Sequence, residues 1–284
     1  MASNLKDPRR VILWGVPRCL STAFMRAISN VDDFLVWYEP YLMVQKAQGS
    51  PELPEAMTSV DPAMIPDHFY NFFDESHTYS WVKDQLEGSF PGKKLVFVKE
   101  MVEGIHGHYE DLPKGYRHTI MIRHPLKVFI SLKKMYQAFM GDVPDLDILP
   151  ETTIPPGYFF KEMCEFVDHI KSSGMETNPI IIDADDLQAN PDEVMKIYCK
   201  KVDIPYDDRI VKWTGNVSFD NWMAPKELTA MFLTPGVHKK SSGSEGLSPP
   251  SELPSRADLP ADVLRVADAS MEYYDKLYAQ RLVV

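Results

Sequence analysis

The sequence predicts an α/β fold in which a central parallel sheet of about five strands is covered by helices on both faces. Three observations carry that prediction. Short runs of aliphatic, β-branched and aromatic residues recur along the chain as continuous apolar stretches, the pattern of strands buried on both faces. Segments with helical apolar spacing alternate with those runs. Two of the runs are followed within four residues by an arginine, Arg18 and Arg123, at the carboxyl edge where parallel sheets bind ligands.

Taken in order, residues 10–14 (RVILW) read as a buried strand. Residues 21–29 follow with Phe24, Ala27 and Ile28 at helical spacing. Residues 34–38 (FLVWY) form a second strand that stops at Glu39-Pro40. The stretch 49–66 is broken by prolines and reads as loop or short helices. A helix is expected over 79–87, a third strand over 94–99 (KLVFVK) and a fourth over 117–122 (RHTIMI). Arg123-His124-Pro125 then opens a helix to about residue 136, with Pro125 in its first turn. Residues 141–157 are rich in proline and acid and form a second loop. Helix 158–172, strand 179–183 (PIIID) and helix 191–202 come next, the last with Asn190 as N-cap and Pro191 at its first position. Residues 236–260 are rich in Ser, Gly and Pro and are expected to be mobile, and a final helix spans about 261–282. With no internal repeat and no hinge-like linker, residues 1–284 read as one domain.

Bulk properties narrow the function. The 284 residues are 44% hydrophobic and 25% charged, as in an ordinary globular protein. A net charge of −11 disfavours nucleic acid and sulfated polysaccharide as partners, though a local basic cleft remains compatible with it. Cys19, Cys164 and Cys199 are too few and too scattered for a disulfide framework or a zinc site. The start of the chain lacks the apolar core of a signal peptide, and no apolar run approaches the roughly 18 residues a membrane span needs. The expectation is a cytoplasmic protein without membrane contact; a homodimer is left open.

The densest chemistry lies in residues 15–22, GVPRCLST, where the first strand hands over to the first helix. A helix start presents unsatisfied N–H groups and the positive end of the macrodipole, so it suits an anion. Arg18 adds a permanent cation, and Ser21 and Thr22 add hydroxyl donors. A nucleotide-kinase loop needs a second glycine followed by lysine, but Leu20 stands where that glycine belongs and no lysine precedes the hydroxyls. A cysteine-phosphatase loop fails because six residues, not five, separate Cys19 from Arg26. The three spaced glycines of a dinucleotide fingerprint are absent. An ordinary strand–helix turn with a solvated arginine is the plain alternative.

Three segments together resemble the sulfotransferase family. GVPRCLST is similar to its 5′-phosphosulfate loop, IRHPLKVFIS to its 3′-phosphate motif, and residues 181–208 (IIDADDLQANPDEVMKIYCKKVDIPYDD) to a later stretch of the same family. The nearest likeness is to the branch with P-R-S-x-S-T loops. The resemblance implies a P-loop-like three-layer fold and 3′-phosphoadenosine 5′-phosphosulfate (PAPS) as donor, with adenosine 3′,5′-bisphosphate as product and no metal. It implies that Pro17, Arg18, Cys19, Leu20, Ser21 and Thr22 hold the phosphosulfate, with Arg18 on the bridging and sulfuryl oxygens. Arg123 and Ser131, eight residues apart, would clamp the 3′-phosphate. Phe219 in SFDNW is a candidate to stack on adenine or, equally, a core residue. Lys239 or Lys240 in HKKSSGSEG either closes on the 3′-phosphate or stays solvated. Cys19 and Leu20 stand where the family has serine and glycine, and Ala184 stands where many members carry a tyrosine near the adenine.

The acceptor hydroxyl needs a general base. Glu39 ends the second strand 21 residues after Arg18, near where carbohydrate-type members place a glutamate. His106 is the second choice, since the histidine of the phenol and steroid branch is missing in register after the third strand; Glu100 and His108 are further substitutes. Lys99 is expected near the transferred group. The expected reaction is sulfuryl transfer by in-line displacement to a small neutral or cationic hydroxylated acceptor, held by aromatic-rich loops over 40–80 and 140–160. A magnesium-dependent kinase and a non-catalytic nucleotide-binding member of the family are the alternatives.

Overall fold

The computed structural model describes residues 7–49, 64–70, 76–141, 145–147, 155, 157–213, 217–233 and 246–284. The five expected strands all form: β1 (Arg9–Gly15), β2 (Phe34–Tyr38), β3 (Leu95–Met101), β4 (Arg117–Ile122) and β5 (Ile180–Asp183). A sixth, β6 (Trp222–Met223), adds two residues at the edge, paired with Val36 and Trp37 of β2. Two residues are too short to leave a periodic signal in sequence. The order is β5-β4-β1-β3-β2-β6, and every pairing is parallel. Val11 to Trp14 and Leu95 to Val98 are fully buried, which explains why these strands read as unbroken apolar runs.

Helices fill the connections and both outer layers, giving the three-layer α/β architecture that the sequence predicts. They are α1 (Ser21–Ser29), α2 (Pro40–Gly49), α3 (Tyr79–Glu87), α4 (Val102–Ile105), α5 (Pro125–Met140), α6 (Phe160–Ser172), α7 (Ala184–Ala189), α8 (Pro191–Val202), α9 (Lys226–Leu233) and α10 (Ala261–Tyr278). α1 packs on β2 and β3, while α10 packs on α5, α6 and the β4–β5 side. Pro125 sits in the first turn of α5, and His124 caps that helix by accepting from the Leu126 N–H at 3.2 Å. Asn190 stands at the N-cap of α8 as expected, but its side chain makes no capping bond. α10 stops at Tyr278, short of the expected end. Sequence reasoning ended the second strand at Glu39-Pro40 and gave no element to the next residues. Those residues form α2, with Pro40 as its first residue, a position proline suits.

The chain leaves β1 toward β2 on one side and leaves β4 toward β5 on the other. That reversal makes the carboxyl ends of the neighbouring β1 and β4 a topological switch point, the place where open α/β sheets bind their ligands. Residues 16–20 follow β1 there, and Arg123 follows β4 there. Part of the segment expected to be mobile is fastened instead. Gln188 donates to the Ser248 carbonyl at 2.6 Å, and Lys127 donates to the Ser251 carbonyl. Among the described residues no helix is long and apolar enough to cross a membrane.

Candidate active site

The loop between β1 and α1 owes its shape to three residues. Gly15 lets the chain fold back on itself, since a Cβ there would lie 3.0 Å from Cys19 Sγ and 3.1 Å from Ser21 Oγ. Arg18 (φ 61°) and Leu20 (φ 72°) are both left-handed, a conformation that costs a non-glycine residue about 1–2 kcal/mol. Leu20 is the N-cap of α1 and supplies no side-chain cap, so no hydroxyl or carboxylate at that position competes for the first N–H groups. Left-handed turns of this kind aim successive N–H groups into a concave anion nest. Leu20 thus adopts a backbone conformation that glycine takes at no steric cost. Ser21 and Thr22 are buried at the helix start, and the Thr22 hydroxyl bonds the Tyr38 phenol. Cys19 is fully buried beside Ser21, and burial pushes its thiol up, so it stays protonated and unreactive.

Two motifs far apart in sequence meet at this loop. Arg18 Nε donates to Ser131 Oγ at 3.1 Å, and Arg123 Nη1 donates to the Arg18 carbonyl at 3.1 Å. Ser131 lies on α5, with its side chain turned to the loop. Burial, and to a smaller degree the neighbouring Arg123 cation, lowers the pKa of Arg18. Arg123 is buried, and its Nε has no hydrogen-bond partner; it lies 4.0 Å from Asp185 Oδ1, which is also without one. The other oxygen of Asp185 is held by Lys127 at 2.6 Å. Sequence reasoning missed Lys127 and Asp185. Lys127 follows Arg123 by one helical turn, which was the available signal.

A second constellation sits at the tips of β2 and β3. Glu39 and Lys99 form an ion pair whose side chains are only 6% and 3% exposed. The Glu39 N–H donates to the Lys99 carbonyl at 2.8 Å, and Glu39 itself is left-handed (φ 50°). Lys99 Nζ also lies 3.2 Å from Met101 Sδ and 5.4 Å from the centre of the Tyr38 ring, and burial lowers its pKa. Tyr38 therefore links the two constellations, through Lys99 on one side and Thr22 on the other. Glu100 has a different task. It is fully buried and accepts from Met101 N–H (2.7 Å), Tyr41 N–H (2.7 Å) and Leu42 N–H (3.3 Å), which caps the start of α2. Burial pushes its carboxyl well above the usual range.

The remaining candidates lie apart from these two clusters or outside the described residues. His106 is 44% exposed and pairs with Glu165 of α6 at 3.1 Å. His108 stacks on Tyr79 with ring centres 3.9 Å apart, and its ring nitrogens lie near the carboxylates of Glu110 and Asp111. Phe219 packs edge-to-face on Phe69, Trp222 and Phe232 beside β6, in an aromatic cluster. Lys239 and Lys240 lie outside the described residues, as does much of the loops expected to hold the acceptor.

No protein-family model matches the chain. It is 27% identical over 218 residues to branched-chain-amino-acid aminotransferase-like protein 2 of Arabidopsis thaliana, covering 75% of this chain and 33% of that protein. It is 26% identical over 256 residues to the same plant's branched-chain-amino-acid aminotransferase-like protein 1, covering 88% of this chain and 38% of that protein. The chain thus spans about a third of the length of these curated relatives. In structure it is similar to the sulfotransferase domain from the Synechococcus PCC 7002 olefin synthase, with 16% identity, a TM-score of 0.44, and 94% of this chain and 96% of that one covered. It is also similar to the sulfotransferase domain from the curacin biosynthetic pathway, with 12% identity, a TM-score of 0.46, and 93% and 98% covered.

Proposed function

We propose that the chain is a PAPS-dependent sulfotransferase acting on a hydroxyl of a small neutral or cationic acceptor. The observation that carries this reading is the meeting of Arg18, Arg123 and Ser131 at the β1–β4 switch point, beside a left-handed loop that opens a helix. A buried Arg123 Nε without a hydrogen-bond partner is what a pocket for a multiply charged anion provides, so the residues present fit such a donor. The N–H groups of residues 18–22, with the Ser21 and Thr22 hydroxyls, would hold the phosphosulfate. Arg123 and Ser131 would hold the 3′-phosphate. The donor, when bound, supplies an activated sulfuryl group.

The chain's own work is positioning, charge and one proton. Glu39 takes the proton from the acceptor hydroxyl as it attacks, a contribution typically of about 10²–10⁴ in rate. Its ion pair with Lys99 fixes that carboxylate at the strand tip, next to Tyr38 and the loop. Lys99 and the start of α1 supply fixed positive charge against the negative charge that gathers as the bond to sulfur breaks. A net charge of −11 turns polyanionic acceptors away and supports a neutral or cationic one.

A thermal-shift comparison tests the reading. Adenosine 3′,5′-bisphosphate at 100 times its dissociation constant stabilises the protein by about 2.7 kcal/mol, while ATP with magnesium at equal concentration does not. Stabilisation by ATP and magnesium alone turns the assignment to a kinase. Bisphosphate binding without turnover of PAPS on a broad panel of alcohols leaves a nucleotide-binding protein and no enzyme.

A further inference from the structure

The start of α2 is capped by a residue of another strand. An N-cap side chain ordinarily accepts from the N–H groups of the second and third helical residues. In α2 the first residue is Pro40, which has no N–H, and the second and third are Tyr41 and Leu42. Glu39 stands at the N-cap position, since its carbonyl accepts from the Met43 N–H at 3.2 Å, and it carries a carboxylate. That carboxylate pairs with Lys99 instead. The two donors belong to Glu100, whose Oε2 accepts from Tyr41 N–H at 2.7 Å and whose Oε1 accepts from Leu42 N–H at 3.3 Å. Resting on the reading of Glu39 as the base, we infer that Glu100 is a positioning residue for the reaction: it occupies the N–H groups at the start of α2 and so keeps the Glu39 carboxylate available to Lys99 and the acceptor.

The geometry divides the work between neighbours. Lys99 and Glu100 are consecutive on β3, so their side chains leave opposite faces of the sheet. Tyr38 pairs with Lys99 in register, which brings Glu39 level with Glu100. Lys99 holds the Glu39 carboxylate, and Glu100 holds the helix that follows it. Glu39 also lacks the extended backbone from which an N-cap side chain reaches its own helix, since its φ is 50°. Solvent does not compete for the two donors: Glu100 and Tyr41 are fully buried and Leu42 is buried. α4 lies close over them, because a Cβ on Gly104 would meet Leu42 N at 2.5 Å. A buried N–H without an acceptor is costly, so loss of a Glu100 oxygen creates a demand for another carboxylate. Glu39, at the N-cap, answers it by turning to its own helix, and Lys99 then loses its partner.

Glu100→Gln is the test, since its one carbonyl oxygen still serves Met101 and Leu42 while its amide nitrogen faces the Tyr41 N–H. Denaturant titrations of Glu39→Gln, Lys99→Met and the pair measure the Glu39–Lys99 coupling, once in the wild type and once in Glu100→Gln. The coupling constant falls at least tenfold in Glu100→Gln. Turnover of PAPS at saturation, with the best acceptor of an alcohol panel, falls at least tenfold, while adenosine bisphosphate affinity stays within about threefold. In a Glu39→Gln background, adding Glu100→Gln lowers turnover less than threefold. An unchanged coupling constant makes Glu100 a helix cap and nothing more, which overturns the inference. Turnover that falls by the same factor in both backgrounds overturns it as well. Wild-type turnover in Glu39→Gln alone refutes Glu39 as the base, a different result, and a protein that transfers no sulfuryl group refutes the sulfotransferase reading. The coupling measurement needs no substrate and decides the hold on Glu39 in either case. Should Glu100→Gln not fold, Glu100→Asp carries the same comparison: it keeps the charge on a stem too short to serve both α2 donors.

Discussion

Replacing Glu39 by glutamine separates its proposed catalytic task from its hold on Lys99. Both side chains of the pair are more than nine-tenths buried, so solvent screens their attraction little. Removing one partner of a buried pair costs about 3–5 kcal/mol, because the other charge is left without compensation. Lys99 has a partial escape. Burial already lowers its pKa, so in Glu39→Gln it sheds its proton more readily than an exposed lysine would. An amine held below its ordinary range in the folded state gains folded-state stability as pH rises toward the unfolded value of about 10.4. The stability deficit of Glu39→Gln therefore shrinks between pH 7 and pH 9. Denaturant titrations of Glu39→Gln, Lys99→Met and the double variant measure it, and the double variant recovers most of the loss. In the same proteins, sulfuryl transfer falls by about 10²–10⁴ in Glu39→Gln. Adenosine bisphosphate affinity stays within about threefold, since no loop or α5 contact is touched. Additive single-variant losses would refute the coupling of the pair. A parallel fall in turnover and nucleotide affinity would make Glu39 a structural residue.

Three further outcomes follow from single contacts. Trp14 Nε1 donates to His118 Nδ1 at 3.0 Å inside the core, and burial lowers His118 to about 4. Stability is then lost as pH falls from about 6.5 through 4, by about 3 kcal/mol, and a His118→Gln variant in urea titrations at pH 7 and 4.5 lacks that slope. A Cβ on Gly104 would meet Leu42 N at 2.5 Å and Leu42 Cα at 2.6 Å, both backbone, so Gly104→Ala forces α4 from α2. It costs about 1–3 kcal/mol by overpacking and lowers turnover through the displaced Glu39 tip, as a denaturation midpoint and a rate assay would register. Lys127→Met frees the Ser251 carbonyl, and hydrogen exchange across residues 248–253 rises about tenfold, the effect of losing one bond of about 1.4 kcal/mol from a charged donor.

The sheet was legible because parallel strands buried on both faces must be apolar throughout, as Val11 to Trp14 and Leu95 to Val98 are. The helix after Glu39 was hidden by its own first residue, since Pro40 reads as a stop and serves as a start. Glu100 read as a spare base because nothing local reveals that the N–H groups it serves come from 59 and 58 residues earlier. The turn from β1 into α1 was legible from its residue types, but the path of Arg18 to Ser131 was not, because a side-chain direction over 113 residues of separation has no sequence period.

Among the described residues five non-glycine residues are left-handed, and three of them, Arg18, Leu20 and Glu39, lie at the carboxyl edge of the sheet around Tyr38 and Lys99. Each costs about 1–2 kcal/mol that a glycine would spare. A turn needed only to reverse the chain has cheaper solutions. Leu20→Gly is the direct trial of what that strain serves. If the left-handed backbone exists to aim N–H groups at an anion, glycine keeps the geometry, relieves the strain and leaves bisphosphate affinity within about threefold of the wild type. Leu20→Pro fixes φ on the other side of zero and removes the N–H, so it abolishes binding in calorimetry while β1 and α1 still form. Equal affinity in both variants would mean that the loop backbone does not touch the anion, and the site would then rest on the side chains alone.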